Sequence, residues 1–269
     1  MSAALWVPRA SALVAVTTVV SPNWSGYVAT DPSPYTYVSG TWTVPPVSTD
    51  SAPAYSSVWV GIGGWDSSSD RLIQVGTDQD VLSNGTAVYY AWRELYPNPP
   101  AFIAFVSPGD SITATVSQLS ANSSTWSMLV TRNSDILLDT AIRARVNSAS
   151  ENSAEFILER PAIQLGRTEQ LTTLANFGSV TFAKCVTNQG TLASLADAVN
   201  IIMSDNETGS RAYLAQPGSI DSSTNSFNVR YGLVLVPVSE FPSIVVVAVV
   251  LILTIVWLDV IARRRMKDR

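Results

Sequence analysis

Three polar side chains sit where buried strands would ordinarily be apolar. Gln74 lies within Leu72-Ile73-Gln74-Val75-Gly76, and Glu155 and Glu159 bracket Phe156-Ile157-Leu158. Successive strand residues point to opposite faces of a sheet. Leu72, Gln74, Gly76 and Asp78 therefore share one face, with Ile73 and Val75 on the other. Glu155, Ile157 and Glu159 likewise share a face, opposed by Ala154, Phe156 and Leu158. A carboxylate can take a proton from water and return it, while a carboxamide accepts and donates hydrogen bonds without titrating. An amide and two carboxylates on otherwise apolar strands thus predict a cleft for acid–base catalysis.

Composition removes most alternatives. The chain has no His, which excludes a Ser-His-Asp triad, a Cys-His pair and imidazole metal ligation. Its single Cys, Cys185, can form neither an internal disulfide nor a thiolate cluster. Lys184 lies in no recognisable nucleophile motif. No metal or organic cofactor is implied. Charged residues make up 14% of the chain, and the net charge of -5 is unevenly spread. Arg263 to Arg269 hold five basic groups and Asp268, for +4, which leaves -9 on the remainder. An acidic, Ser/Thr-rich body argues against nucleic-acid binding, which needs a basic face.

The elements that must position these groups read as β. Short runs rich in Val, Thr, Tyr, Phe and Ile predict strands at Tyr37-Trp42, Ser57-Ile62, Ala87-Leu95, Ser111-Ser117, Trp126-Thr131, Glu155-Leu158, Ser179-Phe182 and Ser226-Val236. Turn-rich segments such as Asp31-Pro32-Ser33-Pro34 and Ser83-Asn84-Gly85 separate them. Helical patterning is sparse, and Thr191 to Met203 is the one short helix expected. Closely spaced strands with few helices predict an antiparallel sandwich.

Both ends of the chain carry topological signals. Ile244 to Leu258 is apolar apart from Thr254, and continues through Val260-Ile261-Ala262. With the residues before it this approaches the ~20 needed for a membrane-spanning helix. Arg263, Arg264, Arg265 and Lys267 follow at once, so the positive-inside rule orients the tail to the cytoplasm and the body outside. At the other end, residues 1–20 read as either an export signal or a leader strand. The expected organisation is then a β domain over 21–237, a transmembrane anchor over 238–262 and a basic cytoplasmic tail over 263–269. Asn23, Asn84, Asn122 and Asn206 stand in N-x-S/T sequons.

Seven segments occur in an order and spacing that resemble one family. They are Ser21-Pro22-Asn23-Trp24-Ser25-Gly26, Gly40-Thr41-Trp42-Thr43-Val44-Pro45 and Val58-Trp59-Val60-Gly61-Ile62-Gly63-Gly64, followed by Leu72 to Asp78, Tyr90 to Pro97, Ala154 to Glu159 and Asn176 to Phe182. The chain resembles the glutamic endopeptidases, or eqolisins, the pepstatin-insensitive acid proteases. The resemblance implies a sandwich of two curved antiparallel sheets, akin to legume lectins, with a Gln and Glu pair on its concave face. It carries the catalytic Gln onto Gln74 and the catalytic Glu onto Glu159. Trp24, Trp59, Asp78, Trp92 and Glu94 fall on positions that surround the pair, and Glu155 is a further supporting residue. Two departures stand out. Gly63 occupies a place where the family usually has Asp, and Arg160 follows Glu159 in place of an acidic residue, where it would help keep Glu159 ionised.

The reading that follows is a membrane-anchored, single-pass, outward-facing endopeptidase acting on polypeptides. It would hold membrane lipid through its C-terminal helix and work as a monomer. The alternative is a surface module binding carbohydrate or peptide on the same sandwich, its catalysis decayed.

Overall fold

The computed structural model describes residues 17–65, 71–121, 123–144, 151–165, 168–205 and 212–232. The expected anchor and basic tail, and most of the export segment, lie outside the described residues. Among the described residues no helix is long and apolar enough to cross a membrane.

The described chain is all-β and mostly antiparallel. Its first strands are β1 (Thr18–Ser21), β2 (Trp24–Thr30), β3 (Tyr37–Thr43), β4 (Ser57–Ile62), β5 (Leu72–Val81), β6 (Ala87–Tyr96) and β7 (Ala101–Phe105). Next come β8 (Ser111–Gln118), β9 (Thr125–Arg132), β10 (Asp135–Arg143), β11 (Ser153–Glu159), β12 (Ala162–Leu165) and β13 (Thr168–Leu171). The last are β14 (Ser179–Thr187), β15 (Gly190–Thr191), β16 (Ala198–Asp205), β17 (Ala212–Pro217) and β18 (Phe227–Tyr231). Hydrogen bonding runs continuously in the order β10-β9-β8-β3-β14-β18-β17-β16-β2-β11-β4-β5-β6-β7, with β12 and β13 forming a separate pair. Only β1 against β16 is parallel among the ladders described.

A sheet this long must curl, because each strand is twisted relative to its neighbour. Here it folds over so that β3 and β8 lie against β4, β5 and β11. The Trp42 indole on β3 donates to Thr77 Oγ1 on β5 at 3.0 Å, and Gly40 on β3 sits against Val60 and Phe156. Between the layers lies one apolar core, to which β4 gives Val58, Val60 and Ile62, β11 gives Ala154, Phe156 and Leu158, and β9 gives Trp126, Met128 and Val130. Period-2 alternation then puts the remaining residues of β4, β5 and β11 on the outer, concave side of their layer.

Seven of the eight expected strands are present with ends shifted by at most a few residues, except that β14 extends well past Phe182. The eighth, Ser226-Val236, appears as β18 up to Tyr231, and its final residues fall outside the described ones. The expected helix at Thr191 to Met203 is not formed. Leu192–Ser194 makes one 3-10 turn and Ala198–Asp205 is strand β16, paired with β2 and β17. Ala193, Ala196 and Ala198 suggest a helix, but Val199, Ile201 and Ile202 are β-branched. Burying Ile201 and Met203 between two neighbouring strands outweighs the weak alanine preference.

Candidate active site

Ladder register builds the concave face in three rows. Glu159 on β11 stands opposite Ser57 on β4, which stands opposite Asp78 on β5 and then Tyr90 on β6. The middle row is Ile157, Trp59, Gly76 and Trp92. The third is Glu155, Gly61, Gln74 and Glu94. Gln74 and Glu159 therefore project from the same face, diagonal to one another across the middle row. Both line one cleft of about 410 Å³, together with Trp24, Asp78, Trp92 and Glu94. Gly76 is required in that middle row, since a Cβ there would lie 2.6 Å from Trp59 Cβ and 3.0 Å from the Trp92 ring.

Glu159 is held at both oxygens. The Trp59 indole N–H donates to Oε2 at 2.7 Å, and the Asn23 side-chain amide donates to Oε1 at 3.3 Å. Asn23 is itself steadied by the Ser21 hydroxyl, which donates to its Oδ1 at 3.1 Å. Trp24 packs edge-on against Trp59 with ring centres 5.1 Å apart. Burial pushes the Glu159 carboxyl up to about 7; the Trp59 N–H opposes this, while the nearby Glu94 and Asp78 charges add to it. Arg160 does not offset the effect. The strand ends at Glu159, and the Arg160 Nε turns away to donate to the Thr172 carbonyl. The help from Arg160 expected from the sequence is thus replaced by a buried carboxyl held only by neutral N–H donors among the described contacts.

Gln74 is 5% exposed, and its Nε2 donates to Glu94 Oε2 at 2.5 Å. That bond fixes which way the amide points. Its Oε1 is buried with no hydrogen-bond partner among the described residues, an unsatisfied acceptor at the cleft wall that calls for an explanation. Burial also raises Glu94, to about 7, against the Gln74 bond. Asp78 accepts from Ser57 Oγ at 2.5 Å and from Tyr90 Oη at 2.8 Å, and burial lifts it to about 6 despite both donors.

Of the other residues expected to surround the pair, Trp24 and Trp92 form cleft walls, while Trp59 lies fully buried beneath and acts on Glu159 through its N–H. Glu155 differs. It is 0% exposed, does not line the cleft, and neither carboxyl oxygen has a hydrogen-bond partner among the described residues. Gly63, where an acid was expected, has φ +87° and is followed by Gly64 at the cleft edge. Three contributors went unassigned from the sequence: Asn23, Ser57 and Tyr90. Tyr90 and Ser57 could have been found by extending the period-2 faces of Trp92 and Trp59. Asn23 gave no such signal, because its contact spans 136 positions of chain.

The sheet face that carries the cleft continues onto β7, the last strand of the path. A bulge between the Ala91 and Trp92 pairings puts Phe102 beside Trp92 and Phe105 beside Tyr90. Both rings therefore face the cleft side, 57% and 66% exposed, with centres 5.1 Å apart.

Comparison with known proteins identifies the family and the fold. The Peptidase A4 family matches residues 22–230. Scytalido-glutamic peptidase, solved with a transition state analog inhibitor, is similar at TM-score 0.64 and 24% identity, over 78% of this chain and 98% of that one. A second structure of it, with a peptide-based transition state analog, gives TM-score 0.62 and 25% identity over the same shares. SCP-B, an eqolisin in complex with the tripeptide Ala-Ile-His, gives TM-score 0.60 and 24% identity, again over 78% and 98%. Comparison with curated proteins gives no match.

Proposed function

This chain belongs to the Peptidase A4 family and is a peptidase, and from that premise we propose that it hydrolyses polypeptides through Glu159 and Gln74. The observation that carries this is the cleft itself. One carboxylate is held by a donor on each oxygen, and it shares a wall with one amide whose oxygen has no partner among the described residues.

In the ionised form Glu159 takes a proton from a water whose oxygen attacks the peptide carbonyl carbon. Gln74 Oε1 accepts a hydrogen bond from that water, and the remaining N–H of its amide donates to the oxyanion that forms. Glu159 then returns its proton to the amide nitrogen as the C–N bond breaks, which regenerates the carboxylate. A single oriented oxyanion donor is worth ~10²–10³ in rate. Raising Glu159 to about 7 makes it a stronger base than a free glutamate and moves the working range toward mild acid and neutrality. Trp24 and Trp92 give flat apolar walls to an extended peptide.

The same proposal includes the setting. The apolar run from Ile244, with the Arg-rich end after it, supports a single-pass anchor that holds membrane lipid, leaves the β domain outside and keeps the tail in the cytoplasm. The enzyme would act as a monomer without cofactor. The test is cleavage of an unfolded protein by the full-length chain in detergent, with pepstatin present. Glu159→Gln and Gln74→Ala should each lower cleavage by about 10²-fold or more while the circular dichroism spectrum is kept. Near wild-type activity in either would move the active site elsewhere. Protease shaving of intact cells should release the β domain; failure to do so would reject the topology.

A further inference from the structure

Behind the cleft wall, Tyr90 Oη lies 2.8 Å from Asp78 Oδ2 and 3.1 Å from Asp80 Oδ2. Asp80 is two residues from Asp78 on the same face of β5, and is buried at 6% exposure. A phenol has one proton and can donate to only one of two carboxyls. The second close contact is then a hydrogen bond only if the other carboxyl carries a proton and donates to the phenol oxygen. The shorter contact is to Asp78, which also accepts from Ser57 Oγ at 2.5 Å and is therefore furnished as an anion. Asp80 is furnished as a neutral acid, since its Oδ1 is buried with no hydrogen-bond partner among the described residues. An ionised oxygen there would be left without compensation.

We propose that protonated Asp80 is a positioning residue: it donates to Tyr90, which turns the phenolic proton onto Asp78 and so fixes the charge that faces Glu159. The proton order is Asp80 O–H to Tyr90 Oη, then Tyr90 O–H to Asp78 Oδ2, with Ser57 O–H closing on Asp78 Oδ1. The groups facing this line are Tyr90 and Glu94 on β6, Ser57 on β4, Glu159 on β11 and Gln74 on β5; Arg71 lines the same cleft nearer Gln74. Burial and the Asp78 charge raise Asp80 to about 8, consistent with a proton held through neutrality. When that proton leaves, two anions flank one phenol and the line breaks. The charge on Asp78 feeds directly into the basicity of Glu159.

The kinetic part of this inference rests on the proteolytic reading above, whereas the protonation part does not. Carbon-13 NMR of selectively labelled Asp in the full-length, detergent-solubilised protein reads it directly. The Asp80 carboxyl should stay in its neutral form through neutral pH; an Asp80 that ionises like a free aspartate overturns the proposal whether or not the protein cleaves anything. In the cleavage assay, Asp80→Ala should lower kcat by about tenfold through misorientation, with KM little changed. Asp80→Asn should restore it, because the side-chain N–H can donate to Tyr90 and cannot be lost. The alkaline fall in kcat/KM should then move up by about one pH unit or more in Asp80→Asn. An Asp80→Asn profile that overlays wild type, or Asp80→Ala and Asp80→Asn behaving alike, would reduce Asp80 to a packing residue.

Discussion

The two faces of β11 are built by opposite rules. Its inner face, Ala154, Phe156 and Leu158, is wholly apolar and fully buried in the shared core. Its outer face alternates Glu155, Ile157 and Glu159, and β5, one strand beyond β4, adds Gln74, Asp78 and Asp80 to the same side. One face maximises burial with no polar atom to satisfy. The other gathers acids in partly dry surroundings and leaves Gln74 Oε1, Asp80 Oδ1 and both Glu155 oxygens without partners among the described residues. Such atoms cost about 1–3 kcal/mol each when left unpaired. A strand held so firmly on one side can carry unfavourable groups on the other, and chemistry is concentrated on that side.

Changes on each face should therefore separate activity from stability. The largest effect expected is on the outer face. Glu159→Gln should lower kcat/KM by about 10²–10⁴-fold, the usual contribution of a general base, with the thermal midpoint unchanged or raised. Steady-state cleavage and thermal melts on one preparation check both. A melt that collapses with the activity would mean Glu159 is structural. On the inner face, Phe156→Ala should cost about 3–5 kcal/mol in denaturant unfolding, while the protein that remains folded keeps its kcat.

The next contrast is in pH. Glu155, Asp80, Glu94, Glu159 and Asp78 are all raised above ordinary carboxyl values, in each case chiefly by burial. The folded chain therefore holds protons that the unfolded chain has released, and stability falls as pH rises. It is fully present below the ordinary carboxyl range, declines as pH rises from there through about 6 to about 8, and levels off once these groups have ionised in the folded chain too. Thermal midpoints should decline over that span, and Glu155→Gln should flatten the decline, with its advantage growing toward alkaline pH. A midpoint that rises across the span would contradict the burial of these acids. The smallest effect expected is from Glu94→Gln. It removes a negative neighbour of Glu159, so the Glu159 carboxyl loses its proton more easily. The acidic limb of kcat/KM should move to lower pH by about one unit, and a shift the other way would remove Glu94 from the electrostatics of the site.

Much of this arrangement was legible because period-2 alternation needs only one strand at a time. Gln74 and Glu159 declare themselves as polar residues on apolar strands, and Asp78, Trp92 and Glu94 follow from the same parity. What each residue touches was not legible, because that depends on register between strands distant in sequence. Hence the Trp59 indole reaching Glu159, the turning away of Arg160 and the isolation of Glu155 from the cleft emerge only in three dimensions. The β16 segment failed for a related reason: its strand character is conferred by β2 and β17 on either side, and an alanine-rich lead-in masked it. The bulge that brings Phe102 and Phe105 to one side is a one-residue irregularity with no marker in composition.

The amide that steadies Glu159 Oε1 belongs to Asn23, the acceptor position of an Asn-Trp-Ser sequon. An N-linked sugar would consume one hydrogen of that amide and seat a bulky hydrophilic branch at the rim of the cleft. The choice of production host is thus a biochemical variable for this enzyme. A eukaryotic secretory route that decorates Asn23 would crowd the rim beside Glu159, whereas a bacterial host without that machinery would leave the amide both of its hydrogens.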